Sequence, residues 1–526
     1  MVLVRYVIGT AALLVALAAV VRGARSVREH LVPDWTGPLG WLVVTVLGLS
    51  FVTVASEVLG SVGLLRIVPL TLVLIGVGLA ARRAAGGRSV PRSEPTVSQP
   101  IAPGALTPKA DVWARRIAAA AVLIVGAEWL TATVRSFQVG MSAVDATWYH
   151  MPTAARFAQS GSTWRLHLID TSSLTVFYPA GSELLHAVGM VFLHTDALSR
   201  VLNLGWLMLG LLAAWCIGAR YGVAPLTLLG AALLFATPQL VSLEAGQALN
   251  DVAVTALLLA AAAVIVNAVV FEKEWKILPA PLAIAGLAAG LAVGTKWTAL
   301  VAVAALTVGI PFLSRRADRV RNAALWLGVI AVSGGYWYLR NLVAVGSPVP
   351  PQRIGLGPVQ LPYVAPGIPT FSITRHLTDS DTWHHVILPA LRASFGPVWW
   401  LVLIFAAGGL LAGVVLIRDR SVQLAAVAGI ACVMSYVLTK QGFTLAFWKG
   451  TPRYAAPGLA LGLVILPVAL SRASRRALPL TPPAYAAVLA ATQYDSRLWR
   501  AWWPPSHHLA VVAVVTLALL AGTATA

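Results

Sequence analysis

Residues 285–310 read AGLAAGLAVGTKWTALVAVAALTVGI, an apolar run broken at its centre by Lys296. A membrane-spanning helix needs about 20 apolar residues to cross a hydrocarbon core of about 30 Å. This run is long enough, but an ammonium inside hydrocarbon costs at least ~2.5–3.5 kcal/mol unless it is paired or wetted. Lys296 is therefore expected in a turn between two apolar segments, beside a polar partner. A lipid phosphate is one natural partner.

Runs of this kind recur along the chain. Of its 526 residues 58% are hydrophobic and only 11% charged, with a mean hydropathy of +0.81. Soluble domains carry roughly 25% charged residues. The expected fold is all-α, a polytopic integral membrane protein with about 13–14 transmembrane helices. Candidate spans lie near 3–21, 39–58, 62–81, 115–135, 197–218, 224–242, 251–270, 279–295, 297–314, 322–344, 397–417, 422–439, 454–471 and 507–524.

The net charge of +19 is gathered in short clusters between these runs, such as RGARSVREH (22–30), ARRAAGGRSVPR (81–92), SRRADRVR (314–321) and SRASRR (471–476). Such clusters mark cytoplasmic loops. No basic face with interleaved aromatics is present, so nucleic acid is excluded as a partner. Cys216 and Cys432 lie inside apolar segments without nearby ligand residues and read as small buried hydrophobes.

Alternation from an inside Arg22–Arg28 also places EKEWK (272–276) and IRDR (417–420) inside. It exports 136–196, 243–250, the turn at Lys296, 345–396 and 440–453. The carboxylates Asp145, Asp170, Glu183, Asp196, Glu244, Asp251, Asp379 and Asp381 gather on this outer face with His150, His167, His186, His376, His384 and His385, and chemistry is expected there. Five regions follow: a three-span extension (1–81), a Pro/Ser/Arg-rich cytoplasmic linker (82–114), a core (115–345), an outer loop (346–396) and further spans (397–526). RLWRAWWPP (497–505) has the Trp and Arg content of an interfacial anchor.

The first outer loop opens with DATWYHMP (145–152). Pro152 suits the first turn of a helix, so a short interfacial helix is expected over 152–160, ending near Gly161. Asp145 precedes it at the membrane boundary, with Tyr149 and His150 close behind. A lone loop aspartate also serves simply as a turn or cap residue. Further on, FYPAGSELLHA (177–187) places Glu183 and His186 three apart, on one helical face, in a segment short for a full span. That face either meets water or joins a site.

In EAGQALNDVAV (244–254), Asn250 and Asp251 suit the N-terminal cap of a re-entering span. Arg340 closes one span and Arg453 opens another; either would snorkel to headgroups if it acted alone. Taken together, Lys296, Arg340 and Arg453 form a cationic set opposite Asp145, Glu183 and Asp251. Transfer from a lipid-phosphate donor needs such a division, with cations for the phosphate and a carboxylate for the acceptor.

At these residues the chain resembles the GT-C superfamily of polyprenyl-phosphate-sugar-dependent glycosyltransferases. DATWYHMP and FYPAGSELLHA are similar to first-loop signatures of its mannosyl- and aminoarabinosyl-transferase branches. GTKWT (294–298), GGYWYLRN (334–341) and PRYAAPG (452–458) look like motifs of uncharacterised actinobacterial members. The resemblance spans about 115–460 and implies a GT-C-like seven-span core with its active site on the outer face of the bacterial cytoplasmic membrane. It implies Asp145 and Glu183 as catalytic carboxylates, and Lys296, Arg340 and Arg453 as the donor-phosphate site. Tyr149, His150, His186, Asn250 and Asp251 would be acceptor-side or accessory residues. The implied partners are a polyprenyl-phosphate sugar, an envelope glycan, lipid or protein acceptor, and membrane lipids. A divalent cation, Mg²⁺ or Mn²⁺, would sit at Asp145 and Glu183 if one is used, although the adjacent acidic pair of many relatives is replaced here by Ala146 and Thr147. A polytopic transporter or lipid-linked-sugar flippase is the alternative reading. It would place ionisable and helix-breaking residues near the midplane of paired spans.

Overall fold

The computed structural model describes residues 2–86, 106–170, 172–271, 275–367, 372–439, 450–474 and 476–494. The expected span at 507–524 and the RLWRAWWPP segment lie outside these residues, as does most of the 82–114 linker.

The protein is an all-α polytopic membrane protein. Its first helices are α1 (Val2–Leu31), α2 (Gly37–Ser61), α3 (Ile67–Gly86) and α4 (Pro108–Val139). The first loop carries α5 (Met151–Ser160) and α6 (Gly181–Leu193). The core continues with α7 (Ala197–Ala219), α8 (Ala224–Phe235), α9 (Pro238–Glu244), α10 (Asp251–Ala268), α11 (Pro279–Thr295), α12 (Ala299–Gly309), α13 (Arg319–Gly334) and α14 (Tyr336–Val345). Beyond the second loop come α15 (Leu388–Phe395), α16 (Trp399–Val415), α17 (Arg420–Leu438), α18 (Ala456–Ala473) and α19 (Thr481–Tyr494).

Among the described residues, 8 helices are long and apolar enough to cross a membrane, or up to 10 when two bent pairs each count as one span. Of the expected spans outside this count, 507–524 lies beyond the described residues, two are the shorter apolar helices Pro279–Thr295 and Ala299–Leu313, and one is interrupted. The expected span 224–242 is α8 and α9 bent by 67° where Thr237 meets Pro238. The expected span 322–344 is interrupted at Gly335, between α13 and α14. Helices α11 and α12 are separate short helices on either side of Lys296, which adopts an extended conformation (φ −158°, ψ 140°).

Helix α10 is buried over its whole length, packed against α7, α11 and α18. Its residues are apolar all round, as a helix enclosed by others requires. The N-terminal helices are not peripheral to this bundle, because α2 packs on α6, α7 and α11. Helix α6 has thirteen residues, too short to cross, and it rests with α5 against the ends of α1, α2 and α3 in a second apolar cluster.

The two ends of the bundle differ in chemistry. Helices α7 and α10 each run from an acidic end, at Asp196 and Asp251, to an end where basic residues meet. There Arg220 donates to the Val269 carbonyl, Tyr221 to Asp419 at 2.8 Å, and Arg420 to the Phe312 carbonyl at 3.0 Å.

Candidate active site

Four chain segments distant in sequence converge at the acidic end. The loop after α4 supplies Asp145, the α9–α10 junction Glu244 and Asp251, the α11–α12 break Lys296, and the turn before α18 Arg453. Each lies at a helix end or a helix break, where the backbone can turn a polar side chain inward.

Asp251 is the hub. One carboxylate oxygen lies 2.5 Å from Lys296 Nζ and the other 2.8 Å from Arg453 Nε. The same guanidinium donates through Nη2 to Asp145. Two cations and two carboxylates therefore balance, as groups taken out of water require. They are not equally accessible. The side chains of Asp251 and Arg453 are 2% and 7% exposed, whereas those of Asp145 and Lys296 are 17% and 16% exposed. The buried half braces an open half made of one carboxylate and one ammonium.

The surroundings are held by backbone bonds. Gln247 Oε1 accepts from the N–H groups of Ser142 and Ala143, at 2.9 and 3.0 Å, which pins the strand leading to Asp145. Glu244 accepts from the Asp251 N–H at 3.3 Å and from Asn203 Nδ2 at 3.2 Å. Asn250 does not cap α10 with its side chain. It crosses instead to the Thr295 carbonyl at 3.2 Å, tying the two breaks together.

An aromatic wall flanks the open half. The Tyr454 ring lies 4.5 Å from Lys296 Nζ, the Tyr178 ring 4.6 Å from that of Trp297, and the Tyr149 ring 5.9 Å from that of Tyr178. All four rings are half-buried. Burial first, then Asp145, pushes the Tyr149 hydroxyl well above its ordinary range, so it stays a neutral donor.

Glu183, His150 and His186 make a second, fully enclosed group beneath the first loop. His150 Nδ1 lies 2.6 Å from Glu183 Oε1, and His186 Nε2 3.4 Å from Ser182 Oγ. Among the described residues, Glu183 Oε2 and His186 Nδ1 have no hydrogen-bond partner. The polar face of α6 thus turns inward rather than toward water. Burial, then the neighbouring His150, pushes His186 down to about 3. Asp145 and Glu183 bond to different side chains and do not converge on a common point. Among the described residues no group of three or more His, Cys, Asp and Glu is placed to hold a metal ion.

Arg340 stands apart from Lys296 and Arg453. It is 2% exposed, and each guanidinium nitrogen already has an acceptor: the Val176 carbonyl at 2.5 Å, the Thr163 carbonyl at 3.4 Å and Asn341 Oδ1 at 3.3 Å. Its neighbour Asn341 reaches the Phe177 carbonyl at 2.8 Å. These two residues staple the first loop to α14.

The second loop is built from local bonds. Asp379 caps the turn at Thr382, whose hydroxyl and N–H hold its carboxyl at about 2, and His376 lies 3.2 Å from it. Sequence reasoning did not single out Tyr178, Trp297, Tyr454, Gln247 or Asn203 as site residues. Each of these side chains reads as ordinary loop or span content until distant segments meet. Glu57, a buried carboxyl inside the apolar helix α2, is a further signal that the sequence carries.

Neither a protein-family profile nor the sequence of a characterised protein matches the chain. Among solved structures, it is similar to the crystal structure of ArnT from Cupriavidus metallidurans bound to undecaprenyl phosphate. The TM-score is 0.45 at 17% identity, over 76% of this chain and 70% of that one.

Proposed function

We propose that the chain is a glycosyltransferase that moves a sugar from a polyprenyl-phosphate-linked donor to a cell-envelope acceptor at the outer face of the cytoplasmic membrane. One observation carries the reading: an accessible carboxylate, Asp145, and an accessible ammonium, Lys296, are braced together by the buried Arg453–Asp251 pair.

In this scheme Asp145 accepts the proton of an acceptor hydroxyl as that oxygen attacks the anomeric carbon. The bond from that carbon to the phosphate oxygen breaks, and its electron pair leaves with the lipid phosphate. Lys296 has three N–H donors and spends one on Asp251, so its remaining donors serve the departing phosphate. Arg453 bonds to Asp145 when no substrate is present and shifts part of its charge toward the phosphate as donor enters. Tyr149, Tyr178, Trp297 and Tyr454 offer faces to the sugar ring. Glu183 acts through His150, which sets the loop carrying Tyr149, and Arg340 holds the same loop from behind.

A flippase or transporter is the second reading. The helix breaks at Thr237 and Lys296, with buried Glu244 and Asp251 beside them, favour it. One experiment separates the two. Purified wild type and Asp145→Asn are given synthetic polyprenyl-phosphate sugars, with protein integrity checked in parallel. Transfer by the wild type alone supports the enzyme. Equal transfer by both removes Asp145 from the chemistry, and vesicle crossing of lipid-linked sugar without transfer establishes the transporter.

A further inference from the structure

The turn between α2 and α3 reaches across almost a hundred residues to the first loop. Arg66 Nη1 donates to the carbonyls of Ala158 and Gln159, at 2.9 and 3.0 Å. These belong to the last turn of α5, whose carbonyls have no partner within the helix and carry its negative dipole end. The Leu65 N–H bonds to the Gly161 carbonyl and the Thr163 N–H to the Gly60 carbonyl, both at 3.0 Å. Four hydrogen bonds thus join Gly60–Arg66 to 158–163.

Two glycines make the approach possible. Gly161 takes a left-handed conformation (φ 74°), and a Cβ there would come within 2.8 Å of the Gly63 carbonyl. A Cβ on Gly60 would meet Thr163 Oγ1 at 2.3 Å. Apolar packing closes the same joint. Ala154 and Phe157, the buried face of α5, sit in one cluster with Leu59, Leu65, Leu70 and Leu74.

The clamped segment leads straight into the site. Helix α5 continues the π-helical turn Ala146–His150, which begins directly after Asp145 and holds Tyr149 and His150. Three residues past its far end, Thr163 Oγ1 lies 2.7 Å from Tyr336 Oη. We infer that the α2–α3 turn is a positioning element of the site and Arg66 its positioning residue, fixing α5 and so the loop that presents Asp145. The catalytic consequence rests on the proposed transferase reading; the clamp itself does not.

The test is hydrogen exchange of the full-length protein in detergent, comparing wild type, Arg66→Met and Arg66→Lys. Arg66→Met should speed exchange across 151–163 by about three- to tenfold while α7 and α10 stay unchanged. Arg66→Lys, which keeps the charge, should restore most of the protection. In the transfer assay Arg66→Met should lower kcat and leave the donor KM nearly unmoved. Unchanged exchange in 151–163, or a rise spread equally over α7 and α10, overturns the inference. Should Arg66→Met not fold, Arg66→Gln against wild type decides it, since the shorter amide cannot reach the two carbonyls that Nη1 serves, and exchange across 151–163 should rise while α7 and α10 stay unchanged. Faster local exchange in a protein without transfer activity would leave the clamp standing and sink the transferase reading alone.

Discussion

Arg453 donates through Nη2 to Asp145, 308 positions earlier in the chain, while its Nε lies 2.8 Å from Asp251 Oδ2. One guanidinium therefore joins the first loop to the bundle core. The planar fork suits that task, since its donors point in fixed, divergent directions. In the proposed scheme an incoming phosphate would compete with Asp145 for this guanidinium.

Asp145→Asn keeps the shape of the side chain and removes its capacity to take a proton. Transfer from a polyprenyl-phosphate sugar should fall by about 10²–10⁴-fold, the usual range for a lost general base. Thermal stability should change little, because Asp145 is partly exposed and Arg453 retains Asp251. A variant with wild-type turnover would transfer the base assignment elsewhere.

Asp251→Asn should be a stability variant first. It leaves Lys296 and Arg453 sharing a neutral amide, and breaking a buried pair in this way typically costs about 3–5 kcal/mol. Arg453→Lys should also lose stability and activity, because a lysine can serve one carboxylate but not span two. Thermal unfolding of both, read beside transfer kinetics, checks the hub role. Intact stability in Asp251→Asn would sink it.

Arg340→Lys offers a contrast. The lysine keeps the charge but loses the bonds to the Val176 and Thr163 carbonyls that hold the first loop. Stability and kcat should drop, and the KM for donor should stay near wild type. A large rise in donor KM would return Arg340 to the phosphate set with Lys296.

Much of this was legible from residues alone, and the limits have a physical pattern. Local grammar worked well: Pro152 and Gly161 bracket α5 at Met151–Ser160, and the ammonium of Lys296 forces a break. The partner of Lys296 was not legible, because Asp251 lies 45 positions away and a lipid phosphate satisfies the same charge. Arg340 and Arg453 look alike in sequence, each beside aromatic residues at a span end. Only packing shows that one faces backbone carbonyls and the other carboxylates. Hydropathy averages over the Thr237–Pro238 bend and the Gly335 interruption, so neither is visible in the sequence pattern. The α2–α3 turn reads as a plain hairpin until α5 is laid against it.

The last prediction concerns pH. His186 in the folded protein is pushed down to about 3, first by burial and then by His150, against an ordinary value near 6.5. Its folded pKa is depressed, so between these two values the unfolded chain binds the proton and the folded one does not. Stability from this group is complete above about 6.5 and is lost as pH falls toward 3. At pH 5 the loss should be about 2 kcal/mol relative to pH 8. Unfolding midpoints of wild type and His186→Leu, followed from pH 8 to 5, isolate the contribution. The wild type should lose stability on acidification more steeply than the variant, which has no imidazole to protonate. Parallel curves would mean that the folded and unfolded chains take up this proton at the same pH, and would overturn the buried neutral imidazole.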